Sequence, residues 1–312
     1  MKSLPTAMKR RPSTLSILKE QRGLFLLLMP AVAVLVLFSY VPIYGVQLAF
    51  KDFDPGLGIN DSPWVGFRYF EQFLTSPGIQ QVFWNTLIIS FLKIIFGFPA
   101  PIILAILINE VRHTGTKRVI QTISYLPHFV SWIVAATLIQ GVLSPSSGVV
   151  GWFFHEILNA NPPTLLADKN FFVPMIVLTD IWKEVGWGTV IYLATMSSIN
   201  SELYEAASID GCGRWQKVWH ITIAGLMPVI VLMLILRFGG ILNAGFDQVY
   251  NLINPMTIEV GDIIDTYIYR IGLQNFEISF TTAVGLFKNI IGFALLVVVN
   301  QVSKRFSENT LW

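Results

Sequence analysis

"YEAASIDGCGRWQKVWHITIAGLMP" occupies residues 204–228 and sets Glu205, Asp210, Arg214 and Lys217 between two long apolar runs. Leu203, Ala206 and Ala207 recur at i, i+3 and i+4, the spacing of one helical face. Gly211 and Gly213 then interrupt the pattern, because glycine admits turns that a residue with a Cβ resists. Trp215, Val218, Trp219 and Thr222 resume the helical period, opposite Gln216, Lys217 and His220. The stretch predicts a helix, a glycine bend and a second, amphipathic helix lying at a membrane surface with its tryptophans at headgroup depth. A solvated turn between two helices accounts for the same composition, and periodicity alone leaves both readings open.

The apolar runs on either side decide the class. Of 312 residues, 54% are hydrophobic and only 13% charged, against about 25% charged in a soluble domain. This excludes a soluble enzyme. A net charge of +2 gives no case for nucleic acid, and the single Cys212 allows no intrachain disulfide. The four histidines show no metal-ligand spacing.

A helix needs about 20 apolar residues to span lipid, and six stretches qualify: 24–50, 82–108, 119–143, 172–196, 223–242 and 281–302. The expected fold is an all-α integral membrane protein with six transmembrane helices. It divides into a basic tail (1–23), a transmembrane domain (24–303) with a cytoplasmic loop at about 200–222, and a second tail (304–312). Lysine and arginine concentrate in the N-terminal tail, in the 2–3 connection (Arg112, Lys117, Arg118), in the 4–5 connection (Arg214, Lys217) and after the last span. By the positive-inside rule these segments, and both termini, face the cytoplasm. The small-residue box Ala31-Val32-Ala33 lies in the middle of its apolar run, which favours a signal anchor over a cleaved peptide.

The fourth stretch is the least pure. Asp180, Lys183, Glu184 and Trp187 lie at i, i+3, i+4 and i+7 and share a face. Lys183 falls about 16 Å into the span at 1.5 Å per residue. Charges at that depth must be paired or wet, so they should face the bundle interior. They are candidates to line a substrate path, with Trp182, Trp187 and Tyr192 offering aromatic faces, or to lock helices together through a Lys183–Asp180 or Lys183–Glu184 pair. Lys93 and Arg237 pose the same choice, and Lys288 is placed to snorkel outward. In "GGILNAGFDQ" (239–248), small residues allow close packing or unwinding, and Asn243 and Asp247 are path candidates. Tyr40, Tyr44, Trp64 and Trp132 suit an interfacial belt.

Glu205-Ala206-Ala207, three residues, Gly211, nine residues and Ile221 resemble the EAA loop of ATP-binding-cassette (ABC) importer permeases, whose pattern is EAA–x3–G–x9–I–x–L–P. The match departs after Ile221, with Ile223 for the leucine and Ala224 for the proline. "YVPIYGVQLAFKDF", "WVGFRYF", "YLPHFVSWIV", "DIWKEVGWGTVIYLA" and "ILNAGFDQVYNL" resemble the subgroup that takes oligosaccharides and polysaccharide fragments. The resemblance runs from about Leu24 to near the end. It implies a type I importer fold, a second homologous permease subunit, two ATPase subunits carrying ATP and Mg2+, an extracytoplasmic sugar-binding protein, and residence in a bacterial cytoplasmic membrane. On this resemblance Glu205, Ala206, Ala207, Ser208, Asp210 and Gly211 would couple to the ATPase. The chain has no phosphate-cradling GxxxxGK[ST] loop, so nucleotide chemistry is expected on partner chains and no cofactor on this one. Two rivals remain: a secondary sugar transporter driven by an ion through Asp180 or Glu184, and a membrane-embedded glycan-processing enzyme. No internal repeat supports the first and no acid–base cluster the second.

Overall fold

The computed structural model describes residues 21–306. The expected N-terminal tail lies almost wholly outside the described residues, as does the end of the C-terminal tail. Helix α1 (Arg22–Phe50) is apolar along its length, and its most apolar window buries nothing inside the chain. A helix of that kind must find lipid or another protein around it. Only its far end, at Leu48 and Ala49, is buried, and it packs against the last long helix. Helix α2 (Arg68–Thr75) is short and amphipathic, and inserts Phe73 against Phe287 at 4.8 Å between ring centroids.

Helix α3 (Gly78–Glu110) widens over Lys93–Gly97. Pro99 and Pro101 have no N–H to give the carbonyls of residues 95 and 97, and wide turns of this type recur where such bonds are lost and at functional sites. Helices α4 (Thr114–Phe129) and α5 (Trp132–Leu143) meet at 103°. The expected straight span over 119–143 is therefore broken. Pro127 sits in a tight turn, Val130 is extended, and the Ser131 hydroxyl accepts from the Val134 N–H to start a new helix.

Helix α6 (Lys169–Ser197) is capped by Asp168, whose carboxylate accepts from the Asn170 N–H. At 29 residues it runs about 44 Å. At its first residue, Lys169 pairs with Glu259, outside the long helices, and holds that carboxyl below its usual range. Helix α7 (Ser201–Ile209) follows, then α8 (Arg214–Gly239), α9 (Phe246–Leu252), α10 (Ile264–Ile268) and α11 (Ile278–Phe306). Among the described residues α1, α3, α8 and much of α11 are long and apolar enough to cross a membrane, and α4–α5 makes a fifth crossing if counted as one broken span. The predicted separate interfacial helix is absent: Trp215 and Trp219 sit on the first turns of α8, which continues unbroken through residues 223–239.

Helix α6 is the central post. Phe172, Met175 and Ile176 pack with Ile89 of α3, Ala136 of α5 and Val249 and Leu252 of α9. Further along, Gly186 lets α4 approach so closely that a Cβ there would lie 1.9 Å from the Ser124 carbonyl oxygen. Backbone cannot yield as a side-chain tip does. Gly186→Ala is expected to cost about 1–3 kcal/mol, read as a lower unfolding midpoint in detergent; an unchanged midpoint would show that the two helices separate freely.

Candidate functional site

Three helices and the unwound segment after α8 meet around a cavity of about 410 Å³. The wide turn of α3 supplies Lys93, α6 supplies Asp180, Glu184, Trp187 and Tyr192, the last turn of α8 supplies Arg237, and the segment beyond it supplies Asn243 and Gly245. Lys93, 5% exposed, donates to Asp180 Oδ1 (2.9 Å), the Ala244 carbonyl (2.9 Å) and Gln248 Oε1 (2.5 Å). Arg237 approaches the other Asp180 oxygen at 3.7 Å, with its side chain half exposed. Gln248 is fully buried, and its amide donates to the Ile176 carbonyl (2.7 Å) and Thr179 Oγ1 (2.8 Å). A buried lysine is tolerable only when its donors are met this completely. Gly245 has φ +97°, and a Cβ there would lie 2.9 Å from Lys93 Nζ, so this turn requires glycine twice over.

The α4–α5 elbow packs against two of the lining residues, Glu184 and Trp187. His128 stacks on Trp187 with parallel rings 4.7 Å apart, and its Nδ1 lies 2.8 Å from Glu184 Oε2. Lys183 donates to the His128 carbonyl (2.7 Å), approaches Glu184 (3.4 Å) and sits 5.4 Å from the Trp132 ring centroid.

The shared face on α6 thus divides. Asp180, Glu184 and Trp187 line the cavity, whereas Lys183 is buried under the elbow and locks α6 to it. Cavity lining and helix lock are both present, on different residues, and Asp180 pairs with Lys93 rather than with Lys183. Tyr192 lines the cavity from a largely buried position and Asn243 from an exposed one. Besides Lys183, two further path candidates lie outside the cavity lining. Trp182 turns to the opposite flank, into an apolar groove with Leu138 and Leu178, and Asp247 is exposed on α9 outside the cavity lining. Lys288 does not snorkel: it pairs with Asp265 of α10 and is only 11% exposed. Trp132 is engaged by Lys183, while Tyr40, Tyr44 and Trp64 remain exposed as a belt would be. Sequence reading passed over Gln248 and His128. Gln248 falls four residues before Leu252 on the buried side of α9, the signal by which it was findable.

At the other end of α6, Asn200 caps α7 by accepting from the Glu202 N–H. The helix ends in a Schellman turn: the Cys212 N–H bonds the Ala207 carbonyl, and the Gly211 N–H bonds that of Ser208, with Gly211 at φ +77°. Gly213 has an ordinary φ and starts α8, so only Gly211 carries the bend. Tyr204 and Ala207 turn partly inward, and Glu205, Ala206, Ser208 and Asp210 are exposed. The Tyr204 hydroxyl lies 2.9 Å from Thr222 Oγ1, and Lys217 donates to the Ser208 hydroxyl, fixing α7 to the foot of α8. Among the described residues Glu205 has no ion pair within the chain.

The chain is 42% identical over 300 residues to protein LplB of Bacillus subtilis (strain 168), covering 96% of this chain and 94% of that one. It is 39% identical over 308 residues to YteP of the same strain, a polygalacturonan/rhamnogalacturonan transport system permease protein, covering 97% and 94%. A chain in the crystal structure of a bacterial alginate ABC transporter in complex with an alginate pentasaccharide-bound periplasmic protein superposes with a TM-score of 0.86 at 35% identity, covering 96% of this chain and 99% of that one. The model of one family matches residues 97–308, from the wide turn of α3 through the charged cavity and the α7 bend into α11, and by that match the chain belongs to the binding-protein-dependent transport system inner membrane components.

Proposed function

We propose that this chain is the membrane-spanning subunit of an ABC importer that passes an oligosaccharide, of acidic type, through a bacterial cytoplasmic membrane by alternating access. The observation that carries the reading is a charged cavity inside an apolar bundle. Two cationic side chains, Lys93 and Arg237, share the single carboxylate Asp180, while Glu184 has its own cation in Lys183 beneath the elbow, and Arg237 is half exposed. That leaves a cation with room for a second carboxylate, as a uronate would bring, beside the indole of Trp187 for an apolar ring face. Two of the more similar relatives are named for acidic glycans, polygalacturonan/rhamnogalacturonan at 39% identity and alginate at 35%, which supports the same class.

The remaining parts follow the family. Six spans with both termini cytoplasmic would place α7 on the cytoplasmic side, where Glu205, Ala206, Ala207, Ser208, Asp210 and Gly211 would dock on an ATPase. A second homologous permease, two ATPase subunits holding ATP and Mg2+, and an extracytoplasmic binding protein would complete the assembly. This chain would bind no cofactor and no nucleic acid.

The test is ATPase stimulation in the complete reconstituted complex with a panel of glycans matched in length. Uronate oligomers are expected to stimulate more than neutral ones. Trp187→Ala is expected to raise the half-saturating concentration about tenfold, equivalent to ~1.4 kcal/mol, with assembly unchanged. Equal stimulation by neutral glycans, or unchanged kinetics in the variant, would overturn the acidic class or the path respectively.

A further inference from the structure

Gly245 lines the charged cavity, and the next residue, Phe246, lines a second cavity of about 520 Å³. Neighbouring Cα atoms are about 3.8 Å apart, so the two linings adjoin at this point of the chain. The path described above uses nothing in the second one. Its walls come from α9, α10 with the wide turn after it, and the start of α11.

The chemistry of those walls is specific. Phe246 and Tyr269 line the cavity with rings 5.6 Å apart, and Tyr250 braces both from outside the lining, at 5.3 and 4.9 Å. Such a cluster is a stiff aromatic platform that loses little entropy on binding. Facing it, the hydroxyls of Thr281 and Thr282 donate to the Glu277 and Ile278 carbonyls (2.9 and 2.7 Å). Their protons are committed, and their lone pairs are left to accept. Asp265 also faces the cavity, held by Lys288 of α11. The pair has no net charge, so it offers carboxylate oxygen without repelling an anionic ligand. A flat apolar face opposite an array of acceptors suits a ligand with C–H faces and many O–H donors, which is a sugar ring. A cavity of this size falls in the range of small-molecule sites.

We infer that the second cavity is a further glycan subsite, holding the sugar ring next to the one in the charged cavity. The chain then grips at least two consecutive units of one oligosaccharide, over the Asn243–Phe246 wall. This rests on the glycan-import reading and adds a length requirement to it.

The test uses the complete reconstituted complex and a length series of the glycan that stimulates the wild type, from disaccharide to pentasaccharide. Tyr269→Leu removes a platform ring, and Thr282→Val removes an acceptor at nearly constant volume. For each length the half-saturating concentration is taken as a ratio to wild type. The same binding protein serves every variant, so its own length preference cancels. Both variants are expected to raise the ratio about tenfold for the pentasaccharide and less than about twofold for the disaccharide, and Tyr269→Trp is expected to restore it. An equal rise at every length would assign these residues a merely structural role, and no rise at any length would leave the cavity outside the path. Either result overturns the subsite. Absence of glycan stimulation in the wild type is the separate failure, that of the import reading itself, and the subsite falls with it.

Discussion

Lys93→Met is expected to destabilise the chain by about 3–5 kcal/mol, the range for breaking one partner out of a buried ion pair. Lys93 and Asp180 have side chains only 6% and 13% exposed. Without the ammonium, Asp180 keeps Arg237 alone, at 3.7 Å and half exposed. The Ala244 carbonyl and Gln248 Oε1 also lose their donor inside a closed wall. The measurement is the unfolding midpoint of the purified complex in detergent. The double variant Lys93→Met/Asp180→Leu separates the terms, because it removes the stranded carboxylate as well. It is expected to recover most of the lost stability while transport stays low. A single variant as stable as wild type would mean that the cavity admits enough water to solvate Asp180 unaided.

Gly211→Val is expected to reduce transport about 5–30-fold while insertion and assembly stay intact. A residue with a Cβ pays roughly 1–2 kcal/mol to hold the left-handed conformation, and that energy is a factor of about 5–30 in the population of the native turn. A β-branched side chain lies at the upper end. The Schellman bonds from Cys212 and Gly211 depend on that turn, and they fix where α7 presents Glu205 and Ala206. Nothing lies within 4 Å of a Cβ built on Gly211, so backbone strain is the whole effect. Transport and glycan-stimulated ATPase activity should fall together. Full coupling in the variant would remove the bend from the proposed docking element.

The elements most legible in the sequence are those written in local pattern. The apolar runs locate α1, α3, α8 and much of α11, because lipid demands length and apolarity along one continuous segment. The same pattern finds α6, but with Asp180, Lys183 and Glu184 inside it that helix is not among those apolar enough to cross. Gly211 is legible because only a positive φ needs glycine there. What the pattern does not hold is pairing at a distance. Lys93 and Asp180 stand 87 residues apart, and His128 and Glu184 stand 56 apart. Spacing on α6 puts Asp180, Lys183, Glu184 and Trp187 on one face but cannot say that the α4–α5 elbow covers one of them. The elbow itself is signalled only by Pro127 and Ser131, and an apolar run on both sides hides it. Trp182 shows the limit for aromatics: an indole suits a sugar face and an apolar groove equally, and packing alone decides.

Helix α8 runs from Arg214 to Gly239 without an intervening loop. Its first residue is clamped to Glu110 at the end of α3, and Arg237 reaches Asp180 from its last turn. The two arginines are about 35 Å apart along the axis at 1.5 Å per residue. The helix is therefore a tie-rod between the α7 bend and the charged cavity, with no loop between its two ends. Its compliant points are the wide turn at Val218–Thr222 and Pro228, which has no N–H for the Ala224 carbonyl. Where the EAA pattern carries a proline this chain has Ala224, with Pro228 one turn later, so the give is confined to about the lower half of the rod and the arm from Val229 to Gly239 has no further break.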